Sequence, residues 1–308
     1  MKSQLTQFLA PTYWPTWIGL GFLRLVNLLP FNAQLKVGAL LGRVIYRIAK
    51  SRRHVAEVNI KLCFPELNEK EQATLVKDVF INNGIGIIET AMAWWSDRNS
   101  FTQKVTLEGR EHLDEALEQG RGVILLGAHF STLDLGGLLF SLYYPLNTMY
   151  RPHNNPLMEH FIQQGRLRSI DKLIDRSDFR TLIRALKANE IVWYAPDQDF
   201  GPTHSVYAPF FGVEAATVTA TSRIAKMNKS PVLMLTHHRT KDGSYSLVLH
   251  PSVQNFPAET DEASGARINL ELEKGIRLEP SQYMWIHKRF KTHPKGKNYI
   301  YTERKSAA

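Results

Sequence analysis

One cysteine, Cys63, is all that this 308-residue chain contains, which excludes an internal disulfide and a Cys-based zinc site. Acidic residues are in deficit: 29 Asp and Glu against 38 Lys and Arg leave a formal charge of +9. That surplus predicts negatively charged partners, whether nucleic acid, anionic membrane, or a phosphorylated or acidic substrate. The chain has no internal repeat, low-complexity segment or Gly/Ser linker. Long apolar runs are scarce too. Tyr13 to Phe31 comes nearest, with Trp14 and Trp17, but Pro15, Arg24 and Pro30 interrupt it. Its length barely meets the roughly 20 apolar residues that a membrane crossing needs. It also lacks the small-residue cleavage site of a signal peptide.

What is present begins with a core: 44% of the residues are hydrophobic, ample for a packed interior. After the Trp-rich run the pattern turns amphipathic. On a helical wheel Val37, Leu40, Leu41, Val44, Ile45 and Ile48 share one side, and Lys36, Arg43, Arg47 and Lys50 another, with Arg52 and Arg53 following. An apolar stripe flanked by bases suits a helix lying in a membrane interface above anionic lipid. Residues 1–50 are therefore expected to be a helical membrane anchor, and residues 51–308 a separate domain.

Within that domain, Asn68-Glu-Lys-Glu71 reads as a capping box opening a helix toward Trp94 and Trp95. Gly84 and Gly86 permit a bend or close packing along it. Further on, Glu111–Glu118 reads as a helix, Thr148–Tyr150 as a strand before helix 155–168, and 178–187 as a helix before strand Ile191–Tyr194. Helix 217–227 precedes strand Val232–Leu235, Tyr245–Leu249 is a hairpin return, and 262–278 is a last helix. Such alternation predicts an α/β fold with a single mostly parallel sheet flanked by helices.

The stretch Arg121 to Gly137 organises the rest. Val123–Leu126 is an unbroken apolar run between Gly122 and Gly127, as expected of a strand buried on both faces. Ser131 or Thr132 can cap the helix that follows. His129 then lies on the turn and Asp134 in the first helical turns, so the chain can fold the carboxylate back toward the ring as orienter of a general base. Backbone N–H groups at the helix start can face an oxyanion. His237 and Asp242 repeat the His-x4-Asp spacing, but Lys-Asp-Gly-Ser there reads as a hairpin turn.

Ligands of α/β sheets bind beyond the carboxyl ends of strands, and polar residues crowd three of them. One end holds His129, the second Arg151, and the third Asp197 and Asp199. Arg151, with Arg166 and Arg168 on the helix after it, suits phosphate or carboxylate. Asp197 and Asp199 suit sugar hydroxyls, the orientation of Arg151, or a metal, although nothing else falls at metal-ligand spacing. Ser131 lacks the Gly-x-Ser-x-Gly elbow of an exposed nucleophile.

His129-x4-Asp134, Tyr150-Arg-Pro152, Gly165-Arg-Leu-Arg168, Tyr194-Ala-Pro-Asp-Gln-Asp-Phe-Gly201, Pro209-Phe-Phe-Gly212 with Ala216-Thr217, and Gln282 to Lys291 together resemble the late lipid A biosynthesis acyltransferases, the lauroyl and myristoyl transferases of Gram-negative bacteria. The likeness covers most of the chain. It implies transfer of a fatty acyl chain from acyl carrier protein to a hydroxyl of lipid A or its Kdo-bearing precursor, at the cytoplasmic face of the inner membrane. It further implies that 51–308 is the acyltransferase domain, His129 the base and Asp134 its partner. Some members carry Glu at that acidic position. Arg151, Arg166, Asp197 and Asp199 match motif positions, with an implied role in substrate binding. A thioester is already activated, so no metal or redox cofactor is required, and phosphopantetheine arrives on the carrier protein. The acidic carrier and acceptor phosphates account for the basic balance, with Lys288, Arg289, Lys291, Lys295 and Lys297 as a candidate docking patch. Two rivals stand beside this reading. A glycerol-phosphate-type acyltransferase shares His-x4-Asp, and a non-catalytic protein binding anionic membrane would need neither His129 nor the strand-end cluster. Nothing aromatic-interleaved and basic supports nucleic acid.

Overall fold

A computed structural model describes residues 5–302. Four helices come first: α1 (Trp14–Val26), α2 (Phe31–Ile48), α3 (Lys50–Cys63) and the long α4 (Glu69–Trp95). The capping box opens α4 as read. Asn68 Oδ1 accepts the N–H groups of Lys70 and Glu71, and Glu71 accepts from Asn68 N at 2.9 Å.

Then helices and strands alternate: β1 (Val105–Glu108), α5 (Arg110–Glu118), β2 (Val123–Leu126), α6 (Leu133–Phe140), β3 (Asn147–Tyr150), α7 (Pro156–Arg166), β4 (Lys172–Asp175), α8 (Phe179–Lys187) and β5 (Ile191–Tyr194). After the hairpin β6 (Ser205–Phe210) and β7 (Val213–Val218) come α9 (Ala220–Asn228), β8 (Val232–Arg239), β9 (Tyr245–Ser252) and α10 (Asp261–Leu278). The main sheet has seven strands in the order β1-β9-β8-β2-β5-β3-β4. Every neighbouring pair is parallel except the β8–β9 hairpin. Strand β2 is central and wholly buried. Ile124 and Leu126 face one apolar cluster, Val123 and Leu125 the other, the two-residue alternation that a pleated strand imposes.

The expectation of a single sheet needs correcting, because β6 and β7 form a second, two-stranded antiparallel sheet. Its turn is Phe211-Gly212, both at positive φ (51° and 73°), as a tight hairpin demands. Phenylalanine in that place hides the turn from a search for Asn-Gly or Asp-Gly. Helix α9 accordingly starts at Ala220, since Thr217 and Val218 belong to β7.

At the N-terminal end, α2 docks on α4 backbone to backbone through glycine, and only part of its apolar stripe, Val37 and Ile45, packs on the core. A Cβ on Gly42 would come within 2.3 Å of Phe80 O, and one on Gly38 within 2.6 Å of Ile85 Cα. One on Gly84 would meet Gly42 N at 2.3 Å. The two backbones therefore touch, as in helix pairs built on small residues four apart. That leaves Leu40 (58% exposed), Val44 and Ile48 (72%) on the surface, beside exposed Lys36, Arg43 and Arg47. On α1, Trp14, Ile18, Phe22 and Leu25 are exposed as well. Among the described residues no helix is long and apolar enough to cross a membrane.

Candidate active site

Parallel pairing of β2 with β5 sets Leu126 opposite Tyr194. Three residues beyond each strand end come His129 and Asp197, which the register brings level. Oδ1 of Asp197 lies 2.7 Å from Nδ1 of His129, and Oδ2 accepts the His129 backbone N–H at 3.0 Å. The Tyr283 hydroxyl donates to the same carboxylate. Burial alone would push the Asp197 carboxyl up. The His129 ring and these three hydrogen bonds outweigh it and hold the group below its usual range. Asp197 is thus an anion fixed beneath an imidazole that keeps about a fifth of its side-chain surface exposed. Tyr283 is fully buried, and burial beside Asp197 drives its phenol well up, so it stays a proton donor.

Asp134 does not occupy the place expected of it. Its Oδ1 accepts from Arg166 Nε at 2.6 Å, while the ring nitrogen of His129 belongs to Asp197. Helix α6 starts one turn beyond His129, which points Asp134 across to α7 instead of back along its own chain. Arg166 stays protonated: burial works against its charge, and the Asp134 carboxylate more than restores it.

The other expected site residues divide between ligand surface and scaffold. Arg151 is exposed, with Nη2 donating to Asn154 at 3.1 Å. Arg168 instead donates to the carbonyls of Trp94 and Ser96, closing the C-terminus of α4 where a cation opposes the helix dipole. The Asp199 carboxylate is spent on Gly201 N (2.9 Å) and on the backbone and hydroxyl of Thr292, so it ties two loops together. Thr132, not Ser131, is at the N-cap of α6, and its hydroxyl goes to His237 Nδ1 at 2.7 Å rather than to the helix. Ser131 is buried against α4, and Asp242 closes the β8–β9 turn through Thr240 and Ser244. Burial pushes the Cys63 thiol far up, leaving no thiolate. The basic run is not one patch. Arg289 is buried, donating to Ala216 O at 2.7 Å, Lys288 goes to Asn298 and Lys291 to Asp199 O. Lys295 and Lys297 remain exposed.

Two cavities meet at His129. The first, of about 340 Å³, has mostly apolar walls that include Trp94, Leu133, Leu146, Ile162, Ile170 and Leu235, with Asp134, Arg166 and His237 among its polar members and Arg151 and His153 toward one side. Three close approaches shape it. Trp193 lies over Gly127, Trp94 over Gly165 and His237 over Gly136, each at a distance that a Cβ would block. The second, of about 370 Å³, shares His129, Met149, Tyr150, Arg151 and Trp193 with the first, and adds Arg176, His287 and Lys291. Arg176 went unread in the sequence, and Trp193 and Tyr283, though inside a strand and a motif that were read, were given no role in the site. Only Arg176, directly after a strand that itself went unread, follows a pattern already used for His129 and Arg151. Among the described residues no group of three His, Cys, Asp or Glu side chains is placed to hold a metal ion.

The arrangement offers an oriented imidazole between an apolar slot and a cationic one. The chain is also similar to a set of known proteins. The family described as bacterial lipid A biosynthesis acyltransferase matches residues 1–292. The lipid A biosynthesis lauroyltransferase of Escherichia coli K12 is 42% identical, over 94% of this chain and 96% of its own. The palmitoleoyltransferase of the same organism is 39% identical, over 96% and 97%. The more distant myristoyltransferase is 28% identical, over 94% and 90%.

Proposed function

The chain belongs to the bacterial lipid A biosynthesis acyltransferase family, and from that premise we propose that it carries a fatty acyl group from the thioester of acyl carrier protein to a hydroxyl of lipid A or its Kdo-bearing precursor. The whole-chain match disfavours both the glycerol-phosphate-type and the non-catalytic reading. The observation that carries the mechanism is the His129–Asp197 contact at the junction of an apolar and a cationic cavity.

In this mechanism the acyl tail lies in the first cavity and its thioester carbonyl beside His129. Among the described residues no partner occupies Nε2 of His129, which leaves it to take the proton of the acceptor hydroxyl. The hydroxyl oxygen attacks the carbonyl carbon as that proton leaves, giving a tetrahedral oxyanion and an imidazolium that Asp197 stabilises. Arg166, held in the cavity wall by Asp134, supplies positive charge toward the oxyanion. Collapse expels the carrier thiolate, and the imidazolium returns the proton to it. Nothing covalent forms on the protein, since Ser131 is buried and Cys63 is a thiol.

Membrane attachment is read as peripheral, at the cytoplasmic face of the inner membrane. Exposed Trp14, Ile18, Leu25, Leu40 and Ile48 supply apolar contact, and Lys36, Arg43 and Arg47 face anionic headgroups. Lys295 and Lys297 are left as the exposed bases for the acidic carrier. Purified protein incubated with acyl carrier thioester and Kdo-bearing lipid A precursor is the direct test, read by mass spectrometry. A product heavier by one acyl chain, lost in His129→Ala, is expected. No such product from the wild-type protein would sink the proposal.

A further inference from the structure

The second cavity gathers positive charge from two adjacent strands. Pairing of β3 with β4 sets Tyr150 opposite Asp175, so the next residues on each chain, Arg151 and Arg176, leave the sheet side by side. Arg176 N donates to Tyr150 O at 2.8 Å, which holds the two segments together. Among the described residues neither arginine forms an ion pair with a carboxylate. The Asp175 carboxylate is turned to Ser177 instead, accepting its N–H at 2.8 Å. Lys291 completes the wall, steadied by Asp199 O at 2.9 Å and 3.6 Å from the Asp199 carboxylate.

Two guanidinium groups at parallel strand ends, neither in an ion pair, and a loop ammonium facing the same cavity match the several oxygens of a phosphate ester better than a single carboxylate. We propose that Arg151, Arg176 and Lys291 form a phosphate-ester subsite. The inference rests on the acyl-transfer reading, because both substrates of that reaction bear phosphate: the carrier on its phosphopantetheine arm, the acceptor on its sugars. With the acyl tail in the apolar cavity and the thioester at His129, the remainder of either substrate has the cationic cavity as its neighbour.

Isothermal titration of the full-length protein in detergent micelles separates the two sources. One pair of probes is dodecanoyl phosphopantetheine, with an amide in place of the thioester, and the same compound without its phosphate. The other pair is the lipid A precursor and its dephosphorylated form. Arg176→Ala should weaken one phosphorylated probe by roughly tenfold, the scale of one charge-assisted hydrogen bond. Its phosphate-free counterpart should bind wild type and variant equally, and Arg176→Lys should restore part of the loss. Whichever probe responds identifies the phosphate. Equal binding of both phosphorylated probes by wild type and Arg176→Ala would overturn the subsite. So would equal weakening with and without phosphate. Wild-type protein that discriminates phosphate yet transfers no acyl group would defeat the acyl-transfer reading and leave the subsite standing.

Discussion

Asp197 holds His129 at two points, the ring through Oδ1 at 2.7 Å and the backbone through Oδ2 at 3.0 Å. Asp197→Asn keeps the volume but removes the charge and disturbs the tautomer, so kcat should fall by about 10²–10⁴-fold with KM little changed. Asp134 is paired with Arg166, and in the proposed mechanism it acts through that guanidinium. Asp134→Asn combined with Arg166→Gln should therefore cost scarcely more than either change alone. Steady-state kinetics of the four variants decide it; additive losses from Asp134 and Arg166 would separate the pair.

His237 makes stability sensitive to acid. Burial pushes its pKa down to about 3, against an unfolded value of about 6.5. A lowered folded value means that the unfolded chain binds the extra proton. The stability that neutral His237 contributes is thus complete above about pH 6.5 and lost progressively toward pH 3. By pH 5 the loss should reach about 2 kcal/mol. Between pH 7 and 5 the wild-type Tm should drop further than that of His237→Asn, and identical drops would refute the assignment.

Gly137 lines the apolar cavity, where an added Cβ would meet only Ile170 Cδ1, at 3.6 Å. Gly137→Ala should fold normally, since the contact is an ordinary one and alanine favours helix. Its methyl group narrows the slot, so donors with shorter acyl chains should gain on the wild-type optimum by roughly tenfold in relative kcat/KM. Competition between carrier thioesters of different chain length measures this, and an unchanged preference would place the tail elsewhere.

The proposed membrane contact is open to surface substitution because the residues concerned are so exposed. Leu40→Glu with Ile48→Glu removes apolar contact at positions 58% and 72% exposed. Liposome flotation should fall sharply while the unfolding free energy changes by no more than surface substitutions usually cause, within about 0.5 kcal/mol each. Added salt should weaken the wild-type attachment too. Flotation indifferent to both would put the anchor outside this face.

Local chemistry made much of this legible. Asn68 to Glu71 spelled out the start of α4, and Val123–Leu126 between two glycines placed His129 at a strand end. The lateral order of strands was not legible, and it decided the site. Sequence separation favoured Asp134 as the partner of His129, whereas the β2–β5 register delivers Asp197 from 68 residues away. Edge strands β1 and β4 are only four residues long, and Lys172-Leu-Ile-Asp175 does not alternate, so Arg176 went unnoticed beyond β4. A wheel that weighs only apolar residues gave the exposed stripe of α2 but not the contact by which the helix docks. Gly38 and Gly42 carry no hydrophobic weight, yet they form the face that packs.

Gly84 and Gly86, two residues apart, look out from nearly opposite sides of α4. Gly84 abuts Gly42 of α2, and a Cβ on Gly86 would lie 2.2 Å from the carbonyl oxygen of Ser131, two residues past His129. Main chain therefore presses on main chain from the basic amphipathic helix through to the turn that carries His129, with no pliant side chain between to absorb a displacement. The height of the imidazole above whatever α2 rests on is set like a fixed gauge, and a single methyl at either glycine would alter its reading.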